Sequence, residues 1–423
     1  MLKFRRVGAA KVLLAVLIFV MAAFILLSFS KEKFDARALL FMALTMLLIM
    51  VQHMLLCFIL PNGDRLTGVL VGFLMGIGLV MQYRLDADTA LRQLIFSCIG
   101  LAAMVIMLML MKKPIVVMYL RIPAAIISLG ILGALMFVGK ESGGAVNWIS
   151  IGGILFQPSE FVKIAMIIVL AGAMSERTSL RELIAPTLFA VAVCALLVLQ
   201  RDLGAAMLMA MVYMLMFYAA TCKLGTTLLG AAACGVGAVA SYYLFDHVKR
   251  RVAVWRDPWA TYSTSGYQIA QGLMAIASGG LLGMGLGLGS PKLIPAYRTD
   301  YIFAVICEEF GIVFGIGIIA IYLIIVIRGC MAALNVKNRF VSLCAFGASA
   351  LIAVQAFIII GGVIKLIPLT GITMPFVSYG GSSLIAFMML HGIIQAASDM
   401  GAGELERALE ADDGEEESGE DDA

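Results

Sequence analysis

The stretch LIPAYRTDYIFAVICEEFGIVFG, residues 293–315, sets three carboxylates against or inside an apolar run. Asp300 directly precedes the run, and Glu308 and Glu309 follow two turns further in. A carboxylate at membrane depth costs about 3 kcal/mol on insertion scales, and such residues are candidates for function by default. Because Glu308 and Glu309 are adjacent, they point to different faces of a helix. The stretch therefore predicts a membrane span with a polar site at its beginning.

The composition of the whole chain is that of a polytopic membrane protein. Of its 423 residues, 62% are hydrophobic and only 13% are charged, whereas soluble domains run near one half and about one quarter. A bilayer core needs roughly 20 apolar residues per helix. The sequence thus predicts an all-α fold of about twelve transmembrane helices, near residues 12–29, 38–60, 66–82, 91–111, 123–139, 160–175, 183–200, 204–222, 225–245, 301–327, 340–362 and 382–398.

The distribution of charge predicts how these helices are oriented. The basic N-terminus and the basic loops KKPIVVMYLR and RGCMAALNVKNR are expected in the cytoplasm, following the positive-inside rule. Both termini then lie in the cytoplasm, and a long basic loop, about residues 246–300, lies outside. The acidic segment 399–423 has no apolar periodicity, which predicts a disordered cytoplasmic tail or, alternatively, a docking site for a partner.

The spacing of cysteines, histidines and glycines excludes several common site types. None of the eight cysteines forms a CxxC pair, and the three histidines form no HExxH motif. The stretch ASGGLLGMGLGLGSPK lacks the GK[ST] ending of a P-loop. It predicts instead a close-packed or re-entrant backbone beside a substrate groove, and PLTGITMPFVSYGGSS favours the same interpretation.

Three polar constellations each admit a structural and a functional interpretation. In FQPSEFVK, Lys163 follows Glu160 at i+3, which forms either a salt-bridged helix start or a cavity wall that handles an anionic ligand. In QRDLG, Asp202 either caps the next helix or belongs to the site. In HVKRRVAVWRDPW, Trp255 and Trp259 could anchor the chain at the membrane interface. The arginines of that stretch could equally bind phosphates.

These stretches occur in one order along the chain and together resemble a known family. WISIGGILFQPSEFVK, QRDLG, RRVAVWRDPW, GYQIAQGLMAIASGGLLGMGLG, RTDYIFAVICEEFG and TGITMPFVSYGGSS are similar to motifs of the RodA/FtsW (SEDS) family of bacterial peptidoglycan polymerases. The resemblance covers about residues 66–398, expected to be a ten-helix glycosyltransferase membrane domain. Residues 1–65 would then add two N-terminal transmembrane helices.

The resemblance implies a function on the outer face of the bacterial plasma membrane. It implies that the chain polymerises lipid II into β-1,4 glycan strands beside a class B penicillin-binding protein, its transpeptidase partner. It assigns catalysis to Asp300, as general base or as ligand of a divalent cation, Mg²⁺ or Mn²⁺. The residues expected to bind substrate are Lys163, Glu160, Trp148, Gln200, Asp202, Arg250, Arg251, Gln268, Gln271, Glu308, Glu309, Ser378 and Ser382.

The chain departs from the family pattern at several positions near these motifs. Asn147 stands where many members have arginine, and Arg201 stands where the family often has proline. Lys292 and Ala296 replace glutamates, and Arg298 replaces a histidine. These changes leave the match at the aspartate intact.

Other interpretations compete with catalysis by Asp300. Asp300 could instead be the N-cap of a helix beginning at Tyr301. At the level of the protein, a lipid-intermediate flippase or transporter, or a non-enzymatic scaffold of a cell-wall synthase, would also explain twelve spans and buried charges. The basic outer loop and the outer position of Asp300 favour the polymerase. The expected partners are lipid II, the transpeptidase and membrane lipids, with no nucleic acid.

Overall fold

The protein is described by a computed structural model that covers residues 8–29, 34–142, 145–151, 154–176, 179 and 181–420. Most of it is helical. The helices are α1 (Ala9–Phe29), α2 (Ala36–Ile59), α3 (Arg65–Leu85), α4 (Ala87–Met111), α5 (Pro114–Tyr119), α6 (Arg121–Val138), α7 (Ser159–Ser175), α8 (Ile184–Leu199), α9 (Leu203–Thr221), α10 (Leu224–Leu244), α11 (Asp246–Arg256), α12 (Tyr267–Gly279), α13 (Ile302–Phe310), α14 (Ile312–Asn335), α15 (Arg339–Val363) and α16 (Gly381–Glu420).

Ten helices in the described part of the chain are long and apolar enough to cross a membrane. They are α1, α2, α3, α4, α6, α9, α10, α14, α15 and α16. Two predicted spans instead coincide with shorter helices, α7 with 17 residues and α8 with 16. A bilayer core needs roughly 20 residues, so a total of twelve crossings stays a prediction.

The predicted span 301–327 is wrong as a single helix, because it breaks at Gly311. Gly311 has a φ of 88°, and a Cβ there would lie 2.3 Å from the carbonyl oxygen of Leu281. The break lets the amide of Ile312 donate to the carbonyl of Gly280 at 2.9 Å. The glycine-rich stretch therefore packs backbone against backbone at this break, which only a glycine permits.

A small antiparallel sheet departs from the all-α prediction. Its strands β1 (Lys140–Ser142), β2 (Ala145–Ile151) and β3 (Ile154–Phe156) pair in that order. Lys140 lies opposite Trp148, and Ile149 lies opposite Phe156. Aromatic and β-branched residues favour this pleated arrangement. The sheet connects α6 to α7 and carries Trp148 toward the cavity described below.

The two N-terminal helices form a distinct packing layer against α3. Val20 and Phe24 of α1 and Ile49 of α2 are buried with Val69 of α3 in a second hydrophobic cluster. Phe19 also stacks on Phe314 of α14, with ring centroids 5.6 Å apart. The extra helices are thus continuous with the rest of the bundle through apolar packing.

Polar groups at the far end of the bundle fasten α16 to the α2–α3 connection. Asp64 caps α3 and forms a two-point ion pair with Arg328 of α14. The side chain of Gln395 donates to the Asp64 carbonyl at 2.9 Å. Asp399 accepts from the amide of Asn62 at 3.1 Å, which holds α16 where the predicted tail begins.

The segment predicted as a disordered tail, 399–423, is helical as far as Glu420. This differs from the prediction, which rested on charge and on the lack of apolar periodicity. The physical reason is that α16 is already nucleated by its packed part, and Glu, Leu, Ala and Arg of ELERALEADD propagate helix well.

Candidate active site

A cavity of about 1160 Å³ lies between the helical bundle and the connections that precede α7, α9, α12, α13 and α16. Its walls are partly apolar, with Ile95 and Ile99 of α4, and partly charged. Nine of the fourteen predicted site residues line it. They are Trp148, Glu160, Lys163, Asp202, Arg250, Arg251, Gln268, Asp300 and Ser382.

Asp300 is held at the cavity by the backbone in front of it. The hydroxyl of Ser378 donates to the carbonyl of Thr299 at 2.6 Å, and the amide of Tyr379 donates to the carbonyl of Arg298 at 3.0 Å. Helix α13 begins two residues later, and its N-cap, Tyr301, makes no side-chain capping bond. The interpretation of Asp300 as a helix cap is therefore wrong.

Burial makes the Asp300 carboxyl a weaker acid than an exposed aspartate. Desolvation raises its pKa to about 6, against the opposing effects of the Thr299 hydroxyl and the positive charge of Arg251. A Cβ on Gly371 would lie 3.7 Å from Oδ2 of Asp300, so this glycine adjoins the carboxylate. The resulting group can accept a proton near neutral pH.

Lys163 forms the predicted salt bridge at a helix start and also lies on the cavity wall, and its handling of an anionic ligand stays a prediction. Its Nζ lies 2.7 Å from Oε1 of Glu160 and 3.0 Å from Oε1 of Gln355, and its side chain is only 2% exposed. The pair is thus a buried salt bridge at the start of α7, and both members line the cavity. Oε2 of Glu160 is buried without a hydrogen-bond partner among the described residues, so it can accept from a ligand.

Arg251 ties α11 to the loop that precedes α16. Its guanidinium donates to the carbonyls of Thr370 at 3.0 Å and Leu369 at 3.4 Å. On the same helix, the Trp255 indole N–H donates to the carbonyl of Lys365 at 3.1 Å. Trp255 therefore links α11 to the segment that precedes α16, and its role as a membrane anchor stays a prediction.

Asp202 and Asn147 connect the small sheet to the start of α9. Asp202 caps α9 by accepting from the amide of Ala205 at 3.0 Å, as one of its two predicted interpretations had it. Asn147 donates its side-chain amide to the other Asp202 oxygen at 2.6 Å. Arg201 precedes the cap with a φ of 63°, in the left-handed region that non-glycine residues rarely occupy. It places an exposed guanidinium on the cavity wall.

Five predicted binding residues do not line the cavity. Gln200 donates to the carbonyl of Leu132 at 2.6 Å, and Gln271 donates to the hydroxyl of Tyr262 at 2.9 Å. Ser378 instead positions the backbone next to Asp300. The remaining two are the paired glutamates of α13.

Glu308 and Glu309 hold the glycine-rich loop, which corrects their predicted role in binding substrate. Glu308 accepts from the amide of Ser290 at 3.1 Å, and Glu309 accepts from the amide of Gly287 at 3.0 Å. Oε1 of Glu309 lies 3.2 Å from Nε of Arg84, whose guanidinium also donates to the Gly287 carbonyl at 2.8 Å. The two acids thus accept hydrogen bonds from loop amides, and Glu309 also balances the charge of Arg84.

Several cavity residues were not singled out from the sequence. Arg92 of α4 lines the cavity, as do Thr370, Thr373 and Tyr379 of the segment before α16 and Ser383 of α16 itself. Arg92 could have been predicted from the sequence, since an arginine inside an apolar segment usually faces a polar interior. The threonines and serines could not, because short polar residues are common in turns.

Comparison with known proteins identifies the family. The family model for FtsW, RodA and SpoVE, described as "Cell cycle protein", matches residues 64–401, which is most of the chain. The chain belongs to the FtsW/RodA/SpoVE family.

Individual members of the family agree with this assignment. The chain is 35% identical over 368 residues to "Peptidoglycan glycosyltransferase RodA" of Mycobacterium tuberculosis, covering 80% of this chain and 78% of that protein. It is 34% identical over 358 residues to "Stage V sporulation protein E" of Bacillus subtilis, covering 79% of this chain and 96% of that protein.

Solved structures share the fold. A chain from a structure described as "Structural coordination of polymerization and crosslinking by a peptidoglycan synthase complex" matches with a TM-score of 0.68 and 25% identity, covering 79% of this chain and 97% of that chain. The crystal structure of the Rod shape determining protein RodA of Thermus thermophilus matches with a TM-score of 0.61 and 25% identity, covering 79% and 96%.

One departure from the family pattern has a visible structural consequence. Arg298, which stands where the resemblance implies a histidine, turns away from Asp300 toward the α3–α4 connection. It donates to the Thr89 hydroxyl at 2.9 Å and lies 3.4 Å from Oδ2 of Asp86. The arginine thus stabilises the structure beside the site and does not add a second side chain to the cavity lining.

Replacing Glu309 should loosen the glycine-rich loop. In Glu309→Ala, the amide of Gly287 and the Arg84 guanidinium lose a charged acceptor, a contact that contributes about 1.5–3 kcal/mol. Hydrogen exchange of amides 284–290 should accelerate about tenfold or more. Glu176→Ala, which removes a half-exposed partner of Arg121, serves as the control and should leave this loop unchanged. Unaltered exchange in the Glu309 variant would contradict the structural role.

Proposed function

We propose that this protein is a peptidoglycan glycosyltransferase that polymerises lipid II into β-1,4 glycan strands. One observation carries the proposal, namely a partly buried Asp300 in a cavity that is rimmed by arginines. The similarity to proteins named peptidoglycan glycosyltransferase RodA, at 35% identity over 368 residues, supports the activity. The cavity volume of about 1160 Å³ is large enough for the sugar and diphosphate groups of such a substrate.

Asp300 is proposed as the general base of the transfer. Forming a β-1,4 bond from an α-linked diphosphate requires inversion at the anomeric carbon. The attacking 4-hydroxyl of the acceptor sugar is a poor nucleophile, and a positioned base accelerates such a step by about 10²- to 10⁴-fold. A carboxyl with a pKa of about 6 can take that proton near neutral pH.

Arginines are proposed to stabilise the departing lipid diphosphate. Arg250 and Arg251 line the cavity from α11, and Arg201 lines it from the α8–α9 connection. Planar guanidinium groups bind phosphate oxygens bidentately. Negative charge accumulates on the diphosphate as the bond to the sugar breaks, so preorganised cations lower the barrier.

A divalent cation, Mg²⁺ or Mn²⁺, is compatible with the donors present. No three His, Cys, Asp or Glu side chains converge on a metal site within the described ranges of the chain. Magnesium sites are nevertheless often built from one carboxylate together with substrate phosphates and water. Asp300 is the residue that would hold the ion, and the ion would supply charge stabilisation at the diphosphate.

The proposed membrane arrangement has twelve spans, with both termini in the cytoplasm and the cavity open to the outer face. Residues 1–65 supply two spans, and the family domain supplies ten. A cysteine introduced at Ser263 should then react with an impermeant reagent added outside intact cells. A cysteine introduced at Gly414 should react only after the cells are opened. The opposite labelling pattern would reject this orientation.

A class B penicillin-binding protein is proposed as the partner. The similar solved chain comes from a structure described as a peptidoglycan synthase complex, which supports an assembly of this kind. Crosslinkers placed along the outer loop 246–300 should capture a transpeptidase from native membranes. Consistent failure to capture one, with crosslinking to other membrane proteins intact, would count against the partnership.

A polymerisation assay with fluorescent lipid II tests the catalytic proposal. Asp300→Asn keeps the size of the side chain but removes the proton acceptor, so glycan synthesis should fall by about 10²- to 10⁴-fold. Arg251→Gln should weaken lipid II affinity about tenfold, since one charged hydrogen bond is lost. Arg256→Gln, an exposed arginine on the same helix that does not line the cavity, is the matched control. Near wild-type synthesis by the asparagine variant would reject the mechanism.

The pH dependence of activity and of heat stability gives a second test of Asp300. Wild-type activity should decline as pH falls through about 6, where Asp300 takes up a proton. Burial raises this pKa above its unfolded value, so the carboxyl stabilises the folded state at low pH and that contribution is lost as pH rises through 6. Above pH 6, Asp300→Asn should therefore be at least as heat-stable as wild type. A large loss of stability at pH 7.5 would indicate a structural role instead.

A further inference from the structure

The turn between α11 and α12 is an ordered part of the outer loop. Asp257 accepts from the backbone amides of Trp259 at 3.0 Å and Ala260 at 3.1 Å. A Cβ on Gly266 would lie only 2.0 Å from the carbonyl oxygen of Pro258, so the two ends of the turn are in close contact. The turn is thus held closed by its own backbone before any ligand arrives.

Two aromatic rings on this turn and one at the start of α12 form a contiguous surface, called here the aromatic platform: Trp259, Tyr262 and Tyr267. The rings of Trp259 and Tyr262 are nearly parallel, at 17°, with centroids 6.3 Å apart. Tyr267 meets Tyr262 edge-on at 5.5 Å. Trp259 is 54% exposed and Tyr262 is 39% exposed. Rigid aromatic side chains of this kind provide contact area with little loss of conformational entropy.

The chemistry around the platform is neutral and rich in hydroxyl groups. The stretch PWATYSTSGYQ, residues 258–268, contains no charged residue, although the outer loop as a whole is basic. The same stretch contributes threonine, serine and tyrosine hydroxyls, and Gln271 donates its side-chain amide to the Tyr262 hydroxyl. Aromatic faces combined with neutral hydrogen-bonding groups complement a sugar, which has an apolar C–H face and many hydroxyls. An anionic ligand would require cations here.

The turn that carries the platform also contributes to the cavity wall. Ser265 and Gln268, which belong to the same turn and to the first residues of α12, line the cavity together with Asp300. Gln268 is fixed by donating to the carbonyl of Pro295 at 3.3 Å, in the segment leading to Asp300. A polymer that grows at Asp300 and leaves the cavity on this side meets the exposed rings next.

We propose that the aromatic platform binds the glycan strand as it leaves the cavity. The inference rests on the proposed function, because the ligand is the β-1,4-linked amino-sugar polymer that this function would make. Stacking on Trp259 and Tyr262 slows release of the strand between successive additions. The platform therefore sets the length of the product more than it sets the rate of bond formation.

The first experiment separates strand length from rate. Full-length Trp259→Ala and Tyr262→Ala proteins are given fluorescent lipid II, and products are resolved by length on gels. Strands should become about threefold shorter, since a lost ring contact accelerates dissociation several-fold, and length should fall more than the initial rate. Trp259→Phe keeps a ring and should retain nearly wild-type length. Wild-type length in both alanine variants would overturn the proposal.

A second experiment does not depend on polymerisation. Soluble, lipid-free and peptide-free glycan oligomers are titrated onto full-length protein and followed by saturation-transfer NMR. Wild type and Trp259→Phe should bind, and Trp259→Ala should bind several-fold more weakly. If wild type makes no polymer yet binds oligomers through Trp259, the proposed function fails and the platform stands. If wild type polymerises but equal binding is seen in the alanine variant, the platform fails.

A third measurement addresses the alternative of a membrane anchor. In a Trp148→Phe, Trp255→Phe background, Trp259 is the remaining tryptophan, and its fluorescence is recorded in vesicles that contain brominated lipids. Weak quenching is expected if the Trp259 ring faces the aqueous phase outside the membrane. Strong quenching would place Trp259 in the lipid and would overturn the proposal.

Discussion

A serine hydroxyl and a backbone amide of the turn 378–379 hold the carbonyls of Thr299 and Arg298, at 2.6 and 3.0 Å. The site depends on this contact. Burial disfavours the ionised form of the Asp300 carboxyl and so raises its pKa, and the carboxylate would lower its free energy by moving toward water if its backbone were not fixed. The turn is itself held by a buried contact within the bundle, because the side-chain amide of Gln93 donates to the carbonyl of Ser378 at 3.2 Å. A neutral amide can do this within a membrane at much lower cost than a charge. The position of Asp300 thus follows from packed helices that lie far from it in sequence.

The three carboxylates of the stretch 293–315 have different physical tasks. Glu308 and Glu309 satisfy amides of the glycine-rich loop, and Glu309 also balances Arg84. Their burial is tolerated because each has charged or N–H partners. Asp300 differs in its position, because its carboxyl lines the cavity while the two glutamates lie outside the cavity lining. Glu308 and Glu309 therefore shape the loop, and Asp300 is the acid available for proton transfer in the cavity.

Hydropathy was sufficient to predict the helical membrane fold, and motif order was sufficient to predict most of the cavity wall. The break at Gly311 could not be predicted, since a single glycine is tolerated inside helices and the close contact with Leu281 arises only in the folded bundle. The small sheet was missed because its strands are short and carry little periodicity. The basic partner of Glu309 could not be predicted for a related reason. Its partner Arg84 lies in a distant helix, and sequence spacing holds no information about such pairs.

The charge of the cavity is set by its arginines rather than by its lysine. Lys163 is fully buried, and its charge is balanced by Glu160 at 2.7 Å. Removing either member would leave an unpaired buried charge, so loss of activity in such a variant would mix folding with binding. Arg250 and Arg201 are exposed at the wall, and no acid neutralises them in an ion pair of the described structure. The uncompensated positive charge of the cavity wall therefore lies at the arginines, while the Lys163–Glu160 pair stabilises the start of α7.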